Sequence, residues 1–123
     1  AAHLLREEGI PVNVLNLTSP RSLFEKWQGQ MLGQRSNLPD SQSDPFDDLI
    51  PTSERRAPMV TVLDGASHSL SWLGSVCGSS MISLGGDQFG QSGTRDDLYR
   101  HYGIDAASIA GAGFEVLRRT GIY

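Results

Sequence analysis

The chain has a single cysteine, Cys77, in 123 residues, so it has no internal disulfide to form. That fits a reducing cytoplasm. It has no run approaching the ~20 apolar residues of a membrane-spanning helix, and no charged-then-apolar start that reads as a signal peptide. Positive charge is short as well: 10 Lys and Arg against 14 Asp and Glu leave a net charge of −4, with a pI near 5.2. Such a balance has no general pull on phosphates and argues against nucleic acid as a partner. Lysine is almost missing, Lys26 standing alone beside nine arginines, and no function follows from that bias. What is present is ordinary, at 38% hydrophobic and 20% charged. That is globular usage. A mass of 13.3 kDa suits one domain over 1–123 with a single core, and at this size roughly two-thirds of the unfolded surface is buried on folding.

Along the chain, Ala1 to Glu8 reads as a helix, with Ala1, Leu4 and Leu5 at helical spacing and Gly9 as its stop. Pro11-Val-Asn-Val-Leu-Asn-Leu17 reads as a strand. Thr18-Ser19-Pro20 then starts a helix, because Pro at the first helical position needs no N–H. Leu23, Phe24, Trp27 and Met31 give that helix an apolar stripe ending near Gly33. The stretch 34–57 is rich in Ser, Asp, Pro and Asn and reads as a long surface excursion, with one helical turn at Pro45–Ile50. Pro58–Leu63 is an apolar strand suited to a sheet covered on both faces. A helix over Ser67–Cys77 and a strand over Ser80–Leu84 follow. After the glycine-rich loop Gly85–Gly93, Thr94-Arg-Asp-Asp97 starts a helix that runs to Tyr102 and stops at Gly103. Asp105 caps a last helix. Strands alternating with helices predict an α/β fold, a three-layer, mostly parallel sheet flanked by helices. A helix in first place implies that the domain's first strand is missing from this chain.

Three groups of residues invite chemistry. Asp64, Ser67 and His68 bring acid, nucleophile and base types together. Helical neighbours point ~100° apart, however, so Ser67 and His68 do not readily share a proton, and no G-x-S-x-G elbow surrounds them. A helix cap beside a partly exposed histidine is the plainer reading. The loop Gly85–Gly93 follows a strand and leads into a helix N-terminus, a place where phosphates bind. It matches neither dinucleotide nor P-loop pattern, and Asp87, Asp96 and Asp97 repel an anion, so a structural loop is the plainer reading here too. His3, His68 and His101 lack ligand-type spacing. Cys77 reads as an inert core thiol, and Trp27 and Trp72 as core or interface anchors.

A resemblance adds to this. Gly9-Ile-Pro-Val-Asn-Val-Leu-Asn-Leu-Thr-Ser-Pro20 is similar to the second strand and following turn of the C-terminal domain of the transketolase family. Val60-Thr-Val-Leu-Asp-Gly65 and Ser69-Leu-Ser-Trp-Leu-Gly74 resemble its next strand and helix. The distinctive segment is Leu84–Asp105, which resembles the family's G-x-D-x-F-G-x-S stretch, here carrying Asp87, Phe89 and Ser92, followed by a helix and an aromatic–Gly–Ile–acid link. Gly90-Gln-Ser-Gly-Thr-Arg95 and the insertion after Trp27 lean toward the homodimeric pyruvate dehydrogenase E1 branch, with transketolase proper second. The resemblance implies a domain that supports dimer assembly. Thiamine diphosphate and Mg²⁺ would sit between other domains of the parent enzyme, contributed by two subunits.

On that basis the chain is expected to carry no catalytic, cofactor-binding or metal-binding residue, with Trp27, Trp72, Asp87, Phe89 and Ser92 as structural or interface candidates. Its expected partners are the remaining domains of the parent enzyme and a second subunit, with no nucleic acid and no membrane. Asp87 is expected to accept N–H bonds within its loop and Phe89 to pack inward or on a partner. Self-association is expected from the missing strand. The rival from another class is a free-standing flavodoxin-like domain that binds a small anion at Gly85–Gly93. A hydrolase on Ser67 and His68 is a third.

Overall fold

The computed structural model describes residues 1–35, 46, 48–86 and 94–121. They fall into two compact units, one of Ala1–Val14 with Arg56–Tyr123 and one of Leu15–Arg55.

The first unit is mixed α/β. Its frame is a pair of parallel strands, β1 (Met59–Leu63) and β2 (Met81–Gly85), aligned Met59 to Met81 through Leu63 to Gly85. β1 carries Val60, Thr61 and Val62, which fit a pleated surface, while β2 has Ile82 as its one β-branched residue. The Met59 N–H donates to the Ser80 carbonyl at 2.9 Å and opens the ladder. Parallel neighbours need a crossover, supplied here by a 3₁₀ turn, Ser67–Leu70, and helix α3, Trp72–Cys77. Gly78 ends α3 at φ +62°, a left-handed conformation that glycine adopts without a Cβ penalty.

Helix α4 (Arg95–Tyr102) and helix α5 (Ala106–Thr120) follow, and α5 packs on both strands. The sequence marks α4 at both ends. The Asp97 N–H donates to Thr94 Oγ1 at 3.2 Å, and Gly103 closes the helix at φ +71°. Helix α1 (Ala2–Glu7) packs on α5. The approach is close at Gly113, where a Cβ would lie 3.0 Å from Leu5 Cδ1. Among the described residues of this unit, Leu5, Leu70, Leu73, Cys77, Ile104, Ala110 and Val116 are the buried apolar ones.

The second unit holds helix α2 (Pro20–Arg35) and a short 3₁₀ turn, Thr52–Glu54. The expected turn near Pro45–Ile50 is seen in part: the N–H groups of Leu49 and Ile50 both donate to the Phe46 carbonyl. Phe46 and Ile50 are buried.

Three sequence expectations change. Pro11–Leu17 is not a strand. Apolar alternation needs a ladder partner before it becomes a strand, and the Val12 carbonyl is instead taken by the Arg6 guanidinium at 2.7 Å, while Val14 is 72% exposed. The helix over Ser67–Cys77 divides into a 3₁₀ turn and α3. At the join the Ser71 hydroxyl donates back to the His68 carbonyl at 2.7 Å, a local bond that competes with regular helix. Finally, β1 is not covered on both faces, since Val62 is 40% exposed.

Candidate functional site

The carboxyl ends of β1 and β2 lie side by side, and in parallel α/β sheets this is where ligands bind. Asp64-Gly65-Ala66 turns the chain out of β1 directly against the end of β2. A Cβ on Gly85 would run into the Gly65 carbonyl and lie 2.7 Å from the Ser67 nitrogen, so the crossing is possible only with glycine there. Next to it, Gly86 is flanked by the Tyr102 ring and the Asp64 carboxylate. A Cβ at Gly86 would be 3.7 Å from Tyr102 Cδ2 and 3.8 Å from Asp64 Oδ1. The His101 ring meets Tyr102 edge-on, with centroids 5.1 Å apart.

This cluster offers a carboxylate, a phenol and backbone groups. Asp64 and Tyr102 bring no cation to it, and the carboxylate repels a diphosphate. Ser67 and His68 occupy consecutive positions of one 3₁₀ turn, where side chains diverge by about 120°. His68 is exposed. That arrangement does not place an imidazole to take the Ser67 proton.

The other candidate residues are spread apart. Trp27 is half-buried on α2, its ring 5.9 Å from that of Phe24. Trp72 is half-buried at the start of α3. Asp87, Phe89 and Ser92 lie outside the described residues, as does the rest of the loop after Gly86 up to Gly93. His3 pairs with Glu7 at 3.0 Å on α1. No group of three His, Cys, Asp or Glu among the described residues could hold a metal ion. Cys77 is a buried thiol that takes part in no disulfide. No helix of the described residues is long and apolar enough to cross a membrane.

Helix α5 carries a set of paired charges. The side-chain bond from Ser108 holds the Asp105 carboxyl below its ordinary range. Bonds from Arg118 and then Arg119 lower Glu115 to about 2. Arg118 grips the Glu115 carboxylate with both Nε and Nη2, at 2.9 and 2.7 Å. These are helix-surface pairs at the basic end of α5, where cations complement the dipole.

Sequence reasoning missed one feature of the second unit. An open depression of about 360 Å³ lies at the start of α2, lined by Thr18, Ser19, Ser22, Lys26 and Asp48 among others. The signal was present in Thr18-Ser19-Pro20 and the lone lysine six residues further on. Lys26 and Asp48 give the depression opposite charges, and it selects neither anion nor cation. Compared with protein-family models, curated proteins and solved structures, the chain matches none.

Proposed function

We propose that this chain is the C-terminal, assembly-supporting domain of a thiamine diphosphate-dependent enzyme of the transketolase family, nearest the homodimeric pyruvate dehydrogenase E1 type. The chemistry belongs to other domains of the parent, and this domain contributes packing surface between subunits. One observation carries the reading. The distinctive segment Leu84–Asp105 begins on the last residues of β2 and contains a capped helix, α4. It then passes through Tyr102-Gly103-Ile104 to Asp105, the N-cap of α5. Each described landmark of that one segment falls on a strand end, a helix end or a cap, whereas Pro11–Leu17, the second strand of the resemblance, forms no strand. The parallel β1–α3–β2 connection is of the kind such a domain requires. A homodimer, a three-layer sheet and a cytoplasmic setting go with this proposal.

The test is to extend the coding region on its N-terminal side and titrate both proteins with thiamine diphosphate and Mg²⁺ by calorimetry. The extended protein is expected to carry several hundred further residues with a diphosphate-binding motif and to bind the cofactor, while the 123-residue chain does not. Micromolar binding by the short chain, or an extension without such a motif, overturns the proposal.

A further inference from the structure

We draw no further inference here: the strongest candidate, the outer edge of β1 with its exposed Val62 and the buried Thr61 hydroxyl that finds no partner among the described residues, carries nothing because nothing in the structure shows what covers it.

Discussion

Helices α2 and α5 have almost the same length, 16 and 15 residues, and both carry an apolar stripe in the sequence. They differ in what the stripe meets. Helix α5 buries Ala110, Gly113 and Val116, begins at the N-cap Asp105, ends on a left-handed Gly121 and has Arg118 and Arg119 in its last turn. No side chain of α2 from Pro20 to Leu32 is buried, and Met31 and Leu32 are 40% and 53% exposed. A helix of this length is marginal in water on propensity alone, and most helical stability in proteins comes from packing. The difference teaches that apolar spacing identifies a helix without saying whether the fold will use its face. In this chain the use is concentrated around β1, β2 and α5.

The sharpest way to break that concentration is at the strand crossing. Gly85→Ala places a methyl against the Gly65 carbonyl and the Ser67 backbone, which cannot move aside as a side chain tip would. Overpacking of this kind is expected to cost about 3 kcal/mol or more, seen as a fall in the urea midpoint with an unchanged slope. The next test compares the two helices directly. Val116 is 3% exposed on α5, so Val116→Ala is expected to cost about 2 kcal/mol through lost burial and a cavity. Met31→Ala on α2 is expected to stay within about 0.5 kcal/mol, as exposed positions do. Equal losses in thermal melts would erase the distinction between the helices.

Much of the first unit is legible in the sequence because its signals are local. Thr94 and Gly103 bound α4 as read, through a cap and a left-handed stop. The strands Met59–Leu63 and Met81–Gly85 lie within one residue of their apolar runs. Pro11–Leu17 has the apolar pattern of a strand but forms none, because strand formation depends on a neighbour, which a sequence pattern does not contain. The break at Ser71 was equally hidden, since it depends on a hydroxyl choosing a carbonyl three residues back. At the candidate site, the glycine requirement at Gly85 comes from a turn that crosses twenty residues away in sequence. The sequence showed a glycine-rich loop and not that contact. Nor did it show that Ser67 and His68 would stand on a 3₁₀ turn.

A smaller effect concerns the end of α5. The Glu115 carboxyl falls from its ordinary 4.5 to about 2 because Arg118 and Arg119 bond its charged form. A carboxyl depressed on folding contributes stability above its unfolded value and loses it as pH falls toward the folded value. The advantage of the parent chain over Glu115→Gln is therefore expected to hold at neutral pH and to fade between pH 4.5 and about 2. An advantage that persists unchanged at the acid end would mean that Glu115 acts by packing and not by charge.

The most direct measurement is amide hydrogen exchange followed residue by residue, which reports local opening free energies across one molecule. The ladder amides of β1 and β2 and the interior amides of α5 from Ala110 to Val116 are expected to be the slowest, with those of α2 exchanging distinctly faster. Protection of α2 equal to that of α5 would contradict the account, because it would show that the stability of the chain is not concentrated on the β1–β2–α5 frame.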